Sequence, residues 1–226
     1  VNSPFTRRDP GLRRHDLAFL SPAAWPAVLE RHRDVAAEPM LAGWVERGWP
    51  LIARRMAPGD EMGDAAGVPL GLPLPPAQGK RRLAFVVPAE AIVSTSPPPT
   101  MEAAMEAAPA SWRPTMDRLV GIAAACGGEA RLYGSLAWRL LTGLDYLTAR
   151  SDLDMLLPLP ARHDVRCLTD TIAALERAAP INLDGELVRS DGAGVNWREL
   201  HEGAAQVLVK TAGEAVLLDT ADFLGQ

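Results

Sequence analysis

The sequence predicts an α/β fold, a mixed-sheet core in the C-terminal half preceded by a smaller N-terminal α+β domain. Three observations carry that expectation. From residue 117 onward, apolar residues at helical spacing alternate with short runs of strand character, the order strand–helix–strand–helix–strand. Before residue 98 the texture differs, with one short helix set among strand candidates and a long Pro/Gly-rich stretch. Between the two stands Pro97-Pro98-Pro99, a break in composition that reads as a linker. Residues 1–98 are therefore read as an accessory domain and residues 99–226 as the core domain.

Taken in order, a helical segment is expected around residues 25–33 and strands at 50–54 and 82–87. The stretch from Pro58 to Gly79 is read as turns and short extended pieces. The next helix, 117–126, places Met116, Leu119, Ile122 and Ala123 on one side, and Gly127-Gly128 stops it. Residues 130–133 read as a strand and 135–141 as a helix ended by Gly143. Residues 152–157 form a strand bounded by Pro158 and Pro160. The helix at 164–179 aligns Val165, Leu168, Ile172 and Leu175, with Asp164 placed to cap it. Residues 181–188 alternate Ile181, Leu183 and Leu187 with Asn182, Asp184 and Glu186, a strand period. Ser190-Asp191-Gly192 is a turn, and short strands near 206–210 and 215–218 follow.

Composition bounds the function. The 226 residues are 48% hydrophobic and 23% charged, enough length and apolar content for a buried core. No apolar run approaches the ~18 residues of a membrane helix. Arg7, Arg8, Arg13 and Arg14 are not followed by the apolar segment of a signal peptide. Cys126 and Cys167 lack metal-ligand or redox spacing and read as reduced thiols of a cytoplasmic protein. A formal net charge of −5 argues against a nucleic-acid polymer as partner, since such binders carry a basic face.

The chemistry concentrates between residues 131 and 157. A strand leads into Gly134-Ser135, which opens a helix, and the next strand carries Asp152 and Asp154. Side chains at i and i+2 of a strand share a face. Two adjacent carboxylates repel unless a cation lies between them, and hard oxygen ligands suit Mg2+. A Gly-Ser at a helix start offers N–H groups and the positive dipole end to a phosphate. A surface strand with two solvated acids is the plainer account, but the apolar Met155-Leu156-Leu157 argues for an interior strand. Asp184 and Glu186 both stand as the third acid. Against Asp184 weighs its Asp-Gly pair, which also signals a hairpin turn. Lys210, at the end of Val207-Leu208-Val209, is either a phosphate contact or a solvated edge charge.

The Gly-Ser … Asp-x-Asp order resembles the nucleotidyltransferase superfamily of polymerase beta and the aminoglycoside nucleotidyltransferases. A longer string is more specific. It comprises Arg14-His15-Asp16-Leu17, Tyr133-Gly134-Ser135-Leu136-Ala137-Trp138, Leu141-Thr142-Gly143-Leu144 and Ser151-Asp152-Leu153-Asp154. It continues with Leu183-Asp184-Gly185-Glu186-Leu187, Val195-Asn196-Trp197-Arg198-Glu199 and Val207-Leu208-Val209-Lys210-Thr211. In this order the segments resemble the malonate decarboxylase holo-[acyl-carrier-protein] synthases, the phosphoribosyl-dephospho-CoA transferase family.

The resemblance implies a polymerase beta-like core and a metal-dependent transfer. A 2'-(5''-phosphoribosyl)-3'-dephospho-CoA group would pass from triphosphoribosyl-dephospho-CoA to a serine of the apo acyl-carrier subunit of malonate decarboxylase, releasing pyrophosphate. Asp152, Asp154 and Asp184 would be catalytic and bind Mg2+, with Glu186 the other choice for the third ligand. The superfamily's acid sits at a strand midpoint, which favours Asp184. Gly134, Ser135 and Lys210 would hold the donor's phosphates. Alternatives are a small-molecule nucleotidyltransferase using a nucleoside triphosphate, the equivalent citrate lyase carrier-protein transferase, and a carrier-binding module with a retired site. The presence of all three aspartates argues against the last.

Overall fold

The computed structural model describes residues 11–57, residue 60 and residues 67–225. Arg7, Arg8 and Pro58 lie outside them. The chain forms two compact units, Val1–Pro97 and Pro98–Gln226.

The first unit contains strand β1 (Leu17–Leu20), helices α1 (Trp25–Arg31) and α2 (Arg33–Ala36), and strands β2 (Leu51–Ala53), β3 (Gly67–Pro73), β4 (Arg82–Pro88) and β5 (Ile92–Ser96). The five strands make an antiparallel sheet in the order β4-β3-β2-β1-β5. Strand β3 corrects the reading of residues 58–79 as turns and short pieces. Its Gly67, Pro69, Gly71 and Pro73 occupy alternate positions, while Val68, Leu70 and Leu72 between them are buried. Period-2 burial thus outweighs the Pro/Gly content that argues against a strand. Trp25, Trp44 and Phe85 fill the core, and both indoles are satisfied, by Leu41 O (2.8 Å) and Pro50 O (3.0 Å). Asp16, beside His15 in the sequence, accepts the Arg13 N–H at 2.7 Å and bonds through its backbone to Ala53, a structural role. Arg54 binds Asp60 and Arg81 binds Glu38.

The second unit contains α3 (Arg113–Ala125), β6 (Arg131–Leu132), α4 (Gly134–Thr142), β7 (Leu153–Pro158), α5 (Val165–Ala178), β8 (Leu183–Val188), β9 (Gly194–Asn196), α6 (Trp197–His201), β10 (Gln206–Lys210), β11 (Ala215–Asp219) and α7 (Thr220–Gly225). Six strands form a mixed sheet, β11-β10-β9-β8-β7-β6, in which β7 and β8 are parallel and joined through α5. The expected linker is held to this unit: Pro99 O accepts from Leu132, and Thr100 bridges to Arg131. Asp164 stands at the N-cap of α5 but makes no capping hydrogen bond, because a single 3-10 turn, Arg162–Asp164, already leads the backbone into the helix.

The sheet is amphipathic. Leu153, Met155, Leu157, Leu183, Leu187, Val195, Val207 and Val209 share one core with residues of α3, α4 and α5, among them Leu119, Leu136 and Ile172. Leu153, Leu183 and Leu187 are fully buried, and each contributes about 1.5–3 kcal/mol. Alternation turns Asp154, Asp184, Glu186 and Lys210 to the opposite side.

Candidate active site

Register brings the acids together. In the parallel β7–β8 ladder Asp154 lies directly opposite Asp184, and Leu156 opposite Glu186. Neighbouring strands run ~4.8 Å apart, so Asp154 and Asp184 stand side by side on the open face. Both are half-buried. The hairpin reading of Asp184-Gly185 does not hold, since both residues lie inside β8. Gly185 is there for close approach: a Cβ would stand 2.5 Å from both the Met155 carbonyl oxygen and its Cγ. Asp152 sits one residue before β7, and its Oδ1 accepts from Asn182 Nδ2 at 3.1 Å.

The β6–β7 pairing places the start of α4 against Asp154. Leu132 is opposite Met155, and the Tyr133 N–H donates to Asp154 O at 3.2 Å, so Gly134 turns into the helix directly over that aspartate. Gly134 has φ +67°, and a Cβ on it would lie 1.9 Å from Asp154 Oδ2 and 2.4 Å from Cγ. The carboxylate occupies the room that a side chain at 134 would take. It therefore sits at the first turn of α4, where N–H groups lack helical partners and the partial charge is positive. Ser135, half-buried, is the next residue of that turn.

Asp184 is held from the other side. Asn196 caps α6, its Oδ1 accepting the Arg198 N–H at 2.9 Å, and its Nδ2 donates to Asp184 Oδ1 at 3.2 Å. Leu183, the preceding residue, is pinned at both backbone groups: its N–H donates to Glu176 Oε1 (2.8 Å) and its oxygen accepts from Trp197 Nε1 (2.9 Å). Glu176 also binds the Arg198 guanidinium through both oxygens, at 2.7 and 2.5 Å. That guanidinium, with the Leu183 N–H, holds the Glu176 carboxyl below its ordinary value against the opposing effect of burial. Arg198 is held above its own. Of this scaffold the sequence signalled Asn196, Trp197 and Arg198 through the family string. Glu176 carried no signal, because it flanks the apolar stripe of α5 as one more charged residue and its partners lie far away in sequence.

A pH dependence follows with a definite sign. A depressed folded value means that ionised Glu176 stabilises the protein above the unfolded value of about 4.3, and that this contribution is lost as pH falls through the lower folded value. Arg198 is 41% exposed, which limits the amplitude to under about 1 kcal/mol. Urea melts of Glu176→Gln between pH 3 and 6 should therefore show a flatter decline of stability below about pH 4.3 than wild type.

Glu186 and Lys210 find each other. Glu186 is 3% exposed, and Lys210 Nζ lies 3.0 Å from its Oε1. Glu186 is opposite Asn196 in β9, and Lys210 is opposite Gly194. The absent side chain at 194 lets the lysine on β10 reach across β9. Lys210 is thus the counter-charge of a buried acid, not a solvated edge charge.

Asp152, Asp154 and Asp184 do not close into a cage. Among the described residues no three His, Cys, Asp or Glu groups are clustered to hold a metal ion. The pair Asp154–Asp184 still fits Mg2+, which characteristically takes one or two carboxylates and completes its shell with water and substrate phosphates. The Gly134 recess leaves the Asp154 carboxylate lodged at the first turn of α4.

No helix among the described residues is long and apolar enough to cross a membrane. Cys126 is half-buried and Cys167 exposed, and neither is in a disulfide. Comparison with known proteins agrees across both units. Residues 13–98 match the phosphoribosyl-dephospho-CoA transferase MdcG N-terminal domain, and residues 100–221 match the corresponding C-terminal domain. A phosphoribosyl-dephospho-CoA transferase of Bradyrhizobium diazoefficiens is 49% identical over 99% of this chain and 97% of its own length. One from Xanthomonas euvesicatoria pv. vesicatoria is 36% identical over 92% of this chain and 94% of its own. No solved structure matches the chain. With both domains and the full length in agreement, the chain belongs to the phosphoribosyl-dephospho-CoA transferase family and is a transferase.

Proposed function

We propose that this transferase moves a phosphoribosyl-dephospho-CoA group from triphosphoribosyl-dephospho-CoA to a serine of the apo acyl-carrier subunit of malonate decarboxylase, releasing pyrophosphate. The observation that carries the reading is the in-register Asp154–Asp184 pair with Gly134 recessed over the Asp154 carboxylate. The order β6-α4-β7-α5-β8, with the acids on the parallel pair, supports a nucleotidyltransferase-like core.

In this reading Asp154 and Asp184 hold Mg2+, with Asp152 at the margin of the site. Glu186 is committed to Lys210 and is not a ligand. When bound, the ion would offset the negative charge of the donor's phosphates and favour ionisation of the attacking serine. The chain supplies the rest. The N–H groups at the start of α4 and the Ser135 hydroxyl receive the donor's phosphates, while Gly134 makes the room that the Asp154 carboxylate fills. Lys210 contributes positive charge at the edge of the same face. The carrier serine attacks in line, an O–P bond forms, the bond to pyrophosphate breaks with its electron pair leaving on pyrophosphate, and the serine proton passes to water. Alignment is the protein's main contribution. Residues 1–98 act as an accessory element for the acceptor, since all these groups lie in the second unit. Cysteines outside disulfides agree with a cytoplasmic setting.

Intact-mass analysis of two apo carriers offered together, the malonate decarboxylase and citrate lyase subunits, tests the acceptor. Preferential gain of the prosthetic group by the malonate decarboxylase subunit supports the proposal. Preference for the other subunit, or turnover with ATP in place of the donor, would overturn it.

A further inference from the structure

The Asp184 carboxylate is oriented by a neutral donor, although two cations lie close by. Asn196 Nδ2 donates to Asp184 Oδ1 at 3.2 Å, and this amide cannot turn round, because its Oδ1 is fixed by the Arg198 N–H at 2.9 Å. Each nearby cation is drawn to another acid: Lys210 binds Glu186 at 3.0 Å, and Arg198 binds Glu176. A lysine or arginine on Asp184 would neutralise the charge that attracts a metal ion. An amide fixes the carboxylate's orientation without bringing a formal positive charge onto it.

We infer that Asn196 is a positioning residue, holding Asp184 oriented beside Asp154 for a divalent cation. The cap of α6 is thereby part of the site: one side chain starts the helix with its oxygen and aims a ligand with its nitrogen. This deepens the metal-site reading above and rests on it.

Serine caps a helix as well as asparagine does but is too short to cap and reach Asp184 together. Asn196→Ser therefore separates capping from positioning, and Asn196→Thr is a second variant of the same kind. The experiment titrates full-length protein with Mn2+ alone, reading binding by water-proton relaxation, for wild type, Asp184→Asn and the Asn196 variants, each with a thermal melt. The expected result is clear binding by wild type, a large loss in Asp184→Asn, and a 10–100-fold weakening in Asn196→Ser at an unchanged melting temperature. Wild-type affinity in both Asn196 variants would overturn the inference alone. So would a melting temperature that falls in step with affinity, which marks the residue as only a cap. Absence of binding by wild type, or full binding by Asp184→Asn, overturns the metal-site reading and this inference with it.

Discussion

Asp154→Asn is expected to lower the rate of carrier modification by about a thousandfold or more while the protein stays folded. The carboxylate stands opposite Asp184 and against the first turn of α4, so it touches both the proposed metal and the phosphate cradle. Removing one charge there costs about 4 kcal/mol of transition-state stabilisation, which is ~10³ in rate. Stability should move the other way. Two unit charges ~5 Å apart repel by ~1–3 kcal/mol at effective dielectrics between 80 and 20. Without added metal, Asp154→Asn should therefore melt at or above the wild-type temperature. Loss of activity together with a lower melting point would make Asp154 a structural residue, and near-normal activity with Mg2+ present would remove it from the site. Glu186→Gln should behave oppositely: it strands Lys210 beside a buried amide and costs stability first.

Gly134→Ala tests the recess itself. At φ +67° an alanine adds about 1–2 kcal/mol of backbone strain. Its Cβ would also meet Asp154 Oδ2 at 1.9 Å, so the carboxylate must move by roughly 1 Å or more. Displacement on that scale costs on the order of a hundredfold in rate. The colliding atom ends a movable side chain, so function should suffer more than the fold. Gly143→Ala is the matched control. Gly143 ends the same helix at φ +72°, and a Cβ placed there would find nothing within 4 Å, so it carries the strain without the collision. Equal stability losses with activity lost only in Gly134→Ala are expected from steady-state rates and thermal melts. Equal activities in the two variants would show that the recess has no catalytic role.

Much of the second unit was legible in the sequence because its elements bury one face. Val165, Leu168, Ile172 and Leu175 recur at helical spacing and are buried in α5, and the alternating residues of β8 divide between core and open face. The first unit was harder. Strand β3 hides its period under prolines and glycines, and the four-residue β1 gives too short a pattern to separate from loop. In the site, Asp154 was readable from its strand and from Gly134-Ser135. Between Asp184 and Glu186, which share a strand face, only the superfamily resemblance favoured Asp184. What distinguishes them is pairing across the sheet: Asp154 opposite one, Lys210 reaching the other over Gly194. Such partners are set by register between strands far apart in sequence, which local pattern does not encode. The Glu176–Arg198 bond, 22 residues apart, was hidden for the same reason.

The proposed transfer at the Asp154–Asp184 pair depends on a divalent metal ion. The most direct measurement is the intact mass of the apo acyl-carrier subunit of malonate decarboxylase after incubation with the protein and triphosphoribosyl-dephospho-CoA. Mg2+ is supplied in one arm and removed by a chelator in the other. A gain of one phosphoribosyl-dephospho-CoA group on a single serine is expected with Mg2+, none with chelator, and recovery when Mg2+ is restored. Equal modification in the chelated arm, or an unmodified carrier with Mg2+ and donor both present, would contradict it.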